Sequence, residues 1–161
     1  MSSLKAIDKI KLEKFFNMSS GYVCDFVDRT FGEFVLETTG IDVYTEEYAQ
    51  NGTSKANRLR MFWKKESNSI TAELLQEMLD YWKTQKLSSP EGIEQADHIL
   101  YEECKKIANK LKTESSIENM DALKPNSNDR SFVVLVNSIR ESIKRDDPAE
   151  ALDRLHTFVV K

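Results

Sequence analysis

A chain of 161 residues, 40% apolar and 31% charged, can build one domain of ordinary size or a domain plus part of a second. Its formal net charge of -4 excludes a global basic field that would draw it to nucleic acid or to a membrane. Cys24 and Cys104 lie far apart with no metal-ligand spacing, no apolar run approaches the ~20 residues of a membrane span, and Met1-Ser2-Ser3-Leu4 leads into a charged amphipathic stretch rather than a signal peptide, so a cytoplasmic protein with reduced thiols and no membrane contact is expected.

Gly and Pro are scarce and the apolar period is 3.6 nearly throughout, which predicts an all-α fold. A first helix is expected over 4–16 with Leu4, Ile7, Leu12 and Phe15 inward. The segment from Tyr22 to Phe26 reads as a short extended stretch, and Cys24 as core. Thr30-Phe31-Gly32-Glu33 has the form of a capping box, so a second helix is expected from about 31 to 39, ended by Gly40. Residues 41–52 form a loop rich in acid and Tyr. A third helix covers 54–65 from Thr53 or Ser54, and a fourth starts at Asn68 or Ser69 with Leu74, Leu75, Met78, Leu79 and Trp82 on a wide apolar face.

Ser88-Ser89-Pro90-Glu91 marks a break and a new start, with Ser89 capping and Pro90 in the first turn of a fifth helix over about 91–112. Its stripe is Ile93, Ala96, Leu100, Cys104, Ile107 and Leu111. Residues 113–129 are polar and turn-rich and are expected to link an N-terminal domain, 1–112, to a second one beginning at 130. A sixth helix over about 130–144 carries Phe132, Leu135, Val136, Ile139 and Ile143. After a tight turn, Asp146-Asp147-Pro148-Ala149-Glu150 opens a last helix that reaches Lys161 without a cap. The pattern suggests about five helices followed by a C-terminal hairpin cut short, as in a fragment of a longer protein. Phe132, Ile139, Leu152, Leu155 and Val159 are then expected to fold back on the N-terminal helices or to form a homodimer contact through residues 130–161.

Charge is segregated. Between Phe31 and Gln50 stand Glu33, Glu37, Asp42, Glu46 and Glu47 with no base; between Thr53 and Lys65 stand Lys55, Arg58, Arg60, Lys64 and Lys65 with no acid. A helical wheel puts Ala56, Leu59 and Trp63 on the buried side of the third helix, with Lys55, Arg58 and Lys65 clustered around Phe62 on one flank and Arg60 and Lys64 on the other. Two readings follow. The basic flank binds RNA or DNA through Lys55, Arg58, Arg60 and Lys65, with Asn57 as a polar contact. Alternatively the basic helix docks on the acidic helix and loop before it, with exposed pairs that contribute only ~0–1 kcal/mol each.

Catalytic chemistry has little support. His98 reads as a helix-surface residue and His156 as a structural one. No Gly-rich loop follows a strand, and the acids form no metal-ligand pattern. No catalytic residue, cofactor or metal is assigned.

Leu12 to Val23, Asp28 to Phe31, Gly40 to Tyr44 and Ser54 to Trp63, above all Met18-Ser19-Ser20-Gly21-Tyr22 together with Ser54-Lys55-Ala56-Asn57-Arg58-Leu59-Arg60, resemble an N-terminal domain of bacterial abortive-infection proteins. Residues 132–161 are similar to the opening of the HEPN-like abortive-infection C-terminal domain. The resemblance implies a phage-defence protein with a sensing domain ahead of a ribonuclease effector. The effector's motif, an Arg and a His about four to six residues apart, lies late in that domain. Arg154-Leu155-His156 is too close to match it, so the activity is not carried over to this chain. The resulting expectation is a non-catalytic recognition module that binds nucleic acid; the alternative is a module that senses a phage protein or restrains the effector.

Overall fold

The computed structural model describes residues 1–88, 94–122 and 130–145. Among them are six α-helices and no strand: α1 Ala6–Phe15, α2 Asp28–Thr39, α3 Lys55–Lys65, α4 Asn68–Leu87, α5 Gln95–Ala122 and α6 Arg130–Lys144. The chain divides into two compact units, Met1–Lys112 and Thr113–Lys161.

In the first unit the core is built from Leu12, Phe16, Met18, Phe31, Leu59, Phe62, Trp63, Leu74, Leu75 and Met78, all essentially inaccessible to solvent. α1 enters it through Leu12 and Phe15. Ile7 and Ile10, by contrast, are 55% and 62% exposed, which corrects the expectation that Ile7 points inward. The reason is angular: at 100° per residue Ile7 lies about 140° around the helix from Leu12, and Phe15 and Phe16 set the buried direction. Ser3 ties the leading residues to the next layer, its backbone N–H donating to Asn68 Oδ1 at 2.7 Å, while Ser2 Oγ donates to the Trp63 carbonyl.

The segment after α1 is a turn rather than the extended stretch expected from Tyr22 to Phe26. Met18–Ser20 forms a 3-10 turn closed by Gly21 at φ 85°, and the Phe26 N–H bonds back to the Val23 carbonyl at 3.2 Å. Asn17 (φ 54°) and Cys24 (φ 46°) both adopt the left-handed conformation that non-glycine residues seldom take.

α2 begins three residues before the expected start. Thr30 is not its cap. Thr30 sits in the first turn, and its hydroxyl accepts the Val27 N–H at 3.1 Å, the reach-back half of a capping box. Glu33 pairs instead with Arg29 one turn earlier, at 2.9 Å. Gly40 closes the helix at φ 73°, as expected. α2 packs on α4, where Phe26, Phe34 and Tyr81 form an aromatic cluster with Phe26 stacked on Tyr81 at 4.3 Å.

α3 and α4 start where Ser residues cap them: Ser54 Oγ accepts the Asn57 N–H and Ser67 Oγ the Ile70 N–H, each at 3.3 Å. α5 does not stop at 112. It continues to Ala122, because Thr113 to Ala122, although polar, contains neither Gly nor Pro. Cys104, Ile107 and Leu111 are buried as expected, Ala96 is exposed, and His98 lies on the surface. In the second unit Ile139 is buried, Leu135 and Val136 are partly buried and Val134 is 68% exposed. The expected start at Ser89 and Pro90, the stripe residue Ile93, the side chains of Phe132 and Ile143, and the last helix with Leu152, Leu155, His156 and Val159 lie outside the described residues.

Candidate functional site

The basic helix α3 sits at the centre of the first unit, and seven of its eleven residues are buried, including Lys55, Arg58, Met61 and Phe62. The buried side is therefore much wider than the Ala56–Leu59–Trp63 wheel suggests. Its five cations have distinct surroundings.

Arg58, 8% exposed, works as an internal clamp. Its Nε donates to the Thr53 carbonyl at 3.1 Å, and its Nη1 donates to the carbonyls of Val43 at 2.7 Å and Thr45 at 3.2 Å. The guanidinium also lies over the Tyr44 ring, 4.6 Å from its centroid. Outside its 3-10 turn at Glu46–Tyr48 the loop leaves carbonyls that need donors, and the planar fork of one arginine reaches three carbonyls, of which Thr45 also accepts the Tyr48 N–H. Lys55, also 8% exposed, donates to Asp28 Oδ1 at 2.7 Å and lies 5.3 Å from the Tyr22 ring centroid.

Arg60 makes a bidentate pair with Glu13, at 2.9 and 2.8 Å, and donates from Nη1 to Asn57 Oδ1 at 2.9 Å. Asn57 is thus held between Arg60 and Gly52, where a Cβ would stand 2.5 Å from the amide nitrogen. Lys65 pairs with Glu47 and lies 5.4 Å from the centre of the Tyr48 ring. Lys64 is exposed. Two of the first-turn N–H groups of α3, a common anion site, are also engaged: Ala56 N–H donates to the Gly21 carbonyl at 3.2 Å and Asn57 N–H to Ser54 Oγ.

The five residues expected to touch nucleic acid, Lys55, Asn57, Arg58, Arg60 and Lys65, are thus brought close in sequence but face different partners inside the molecule. Three of the carboxylates that receive cations titrate low. Glu13 is pulled down by its hydrogen bonds from Arg60, Asp28 by Lys55, and Glu103, between Lys11 and Lys106, falls to about 2. A carboxyl whose folded value lies below its unfolded one supports the fold above the unfolded value and withdraws that support as pH falls through the folded one. The melting temperature is therefore expected to decline from near pH 4.5 toward pH 2. Thermal melts at half-unit pH intervals check this, and a flat profile across that window would contradict the assigned pairs.

A second feature lies at the opposite end of α1 from Lys5. A cleft of about 380 Å³ is lined by Phe15, Asn17, Cys24, Asp25, Tyr81, Trp82, Gln85 and Lys86. Phe15 and Trp82 are 4.6 Å apart by ring centroids, and Trp82 is further stacked on Tyr101 at 5.8 Å. The Tyr81 hydroxyl donates to Asp25 Oδ1 at 2.7 Å. Lys86 pairs with Asp97 at 3.2 Å and lies 5.7 Å from the centre of the Trp82 ring. Burial pushes the Cys24 thiol up to about 12, so it is a wall atom and not a nucleophile at neutral pH. The sequence reading assigns Cys24 and Trp82 to core and misses the cleft. The one available signal is Asn17 ahead of Ser19-Ser20-Gly21, a turn-forming run in which Asn tolerates the left-handed conformation.

Among the described residues no group of three or more His, Cys, Asp or Glu side chains is placed to hold a metal ion, and no helix is long and apolar enough to cross a membrane. No protein-family model, curated protein or solved structure matches the chain.

Proposed function

We propose that this chain is a non-catalytic recognition module of an abortive-infection phage-defence protein, acting in the cytoplasm, and that its partner is a protein rather than RNA or DNA. The resemblance carried by Met18 to Tyr22 and Ser54 to Arg60 supports the defence assignment. The choice of a protein partner is carried by one observation: Lys55, Arg58, Arg60 and Lys65 already engage Asp28, three loop carbonyls, Glu13 and Glu47. Phosphate contact would have to break these arrangements before releasing any counterion.

Fluorescence-anisotropy titration against short single- and double-stranded RNA and DNA, at low and at moderate salt, tests the choice. No binding is expected at either. Binding that weakens with salt, with a slope near one per phosphate contact, would return the module to the nucleic-acid reading.

A further inference from the structure

The cleft beside α1 combines groups that suit one chemical class. Asp25 presents a carboxylate with one oxygen fixed by the Tyr81 phenol at 2.7 Å, and it forms no ion pair among the described residues. Lys86 lines the same cleft, but Asp97 at 3.2 Å neutralises it. The unbalanced charge is therefore that of Asp25, which disfavours phosphate or carboxylate ligands. Phe15 and Trp82 contribute aromatic surface, and Asn17 and Gln85 contribute neutral amides that can accept hydrogen bonds.

A carboxylate, aromatic surface and amide acceptors together match a guanidinium. It is planar, carries five N–H donors, is weakly hydrated and interacts favourably with rings. An ammonium, compact and strongly hydrated, uses the same set poorly. The volume, about 380 Å³, lies at the lower end of the ~300–1,000 Å³ range of ligand pockets and admits one long side chain. Two of the lining residues, Asn17 and Cys24, are the non-glycine residues held at positive φ among the described residues, and such local strain concentrates where a fold builds a binding surface.

We propose that this cleft receives an arginine side chain of the protein partner, with its guanidinium on Asp25 and beside Trp82. The proposal rests on the reading that the partner is a protein, and arginine is a frequent anchor of such interfaces.

The test uses the whole chain and N-acetyl-arginine amide as probe, followed by amide and indole NMR shifts. A single anchor group binds in the millimolar range. Shifts are expected at Asn17, Cys24, Asp25, Gln85 and the Trp82 indole, with affinity about tenfold lower in Asp25→Asn, a loss of about 1.4 kcal/mol. N-acetyl-lysine amide is expected to bind several-fold more weakly. Asp25 is exposed, so the variant should fold; if it does not, the arginine-to-lysine comparison on the natural chain still decides. No shift at these residues, equal binding of the two probes, or stronger shifts with adenosine or uridine would each overturn the proposal. Failure of the arginine probe alongside a flat nucleic-acid titration overturns the cleft assignment and leaves the protein reading standing. Salt-sensitive nucleic-acid binding overturns that reading whatever the probe does.

Discussion

Arg58→Ala is expected to lower stability by about 3–5 kcal/mol, the largest effect of any single change in α3 outside its apolar core. The substitution leaves the carbonyls of Val43 and Thr53 without their donor, and that of Thr45 with the Tyr48 N–H alone. Each unsatisfied buried polar group costs ~1–3 kcal/mol, moderated where water reaches it. Loss of the stack on Tyr44 adds to this. For a unit of this size the change corresponds to a fall in melting temperature of about 10–20 °C. Arg58→Lys is expected to recover little, since a single ammonium cannot replace a fork with donors in two directions. Thermal or urea unfolding measures both. An Arg58→Ala chain as stable as the natural one would mean that the loop does not depend on this clamp. Charge reversal at Arg58 is for the same reason a poor probe of ligand binding: it destabilises the fold as it changes the charge.

Gly32→Ala should also destabilise, by about 1–3 kcal/mol, against the usual sign for a helix interior. Replacing a helical Gly by Ala ordinarily stabilises by ~1 kcal/mol. Here an added Cβ would stand 2.9 Å from Tyr44 Cδ2 and 3.0 Å from Cε2. The ring cannot retreat freely because the Arg58 guanidinium lies against it. The two sites are therefore coupled: in an Arg58→Ala background the ring can swing away, and Gly32→Ala should cost less than it does alone. A double-mutant cycle by denaturant unfolding measures this, and strict additivity would separate Gly32 from the clamp.

Periodicity makes much of the architecture legible. Apolar residues at helical spacing place α2 through α6 to within a few residues at most ends, and Ser54 and Gly40 mark real boundaries. Two misplacements have local causes. Thr30 can serve as a cap or as a reach-back residue, and only the turn at Val27 decides which. Polarity in residues 113–122 reads as a linker, yet a polar stretch without Gly or Pro continues a helix readily.

The candidate site is harder to read for a different reason. A wheel sorts Lys and Arg to the surface, but the three carbonyls that hold Arg58 and the carboxylates that hold Lys55, Arg60 and Lys65 come from α1, α2 and the 41–53 loop. The alternative reading, in which α3 docks on the acidic helix and loop, describes Lys65 well; Lys55 goes to Asp28 in the first turn of α2, ahead of that acid block, and Arg60 to Glu13 of α1. The cleft depends on α1, the 17–25 turn and α4 meeting, and no local pattern encodes that meeting.

The internal pairing of α3 also shapes how the molecule meets others at a distance. Three of its five cations are paired with carboxylates within the chain, so these pairs project little field, and what reaches a distant partner is the net charge of -4. Polyanions are then slowed in their approach, while a cationic protein is drawn in and associates faster than diffusion of neutral bodies would allow. That acceleration acts over roughly the 8–10 Å Debye length at physiological salt and reaches farther when salt is withdrawn. Association with a basic partner should accordingly quicken as salt is lowered, while dissociation, set by contacts such as those in the cleft, changes little.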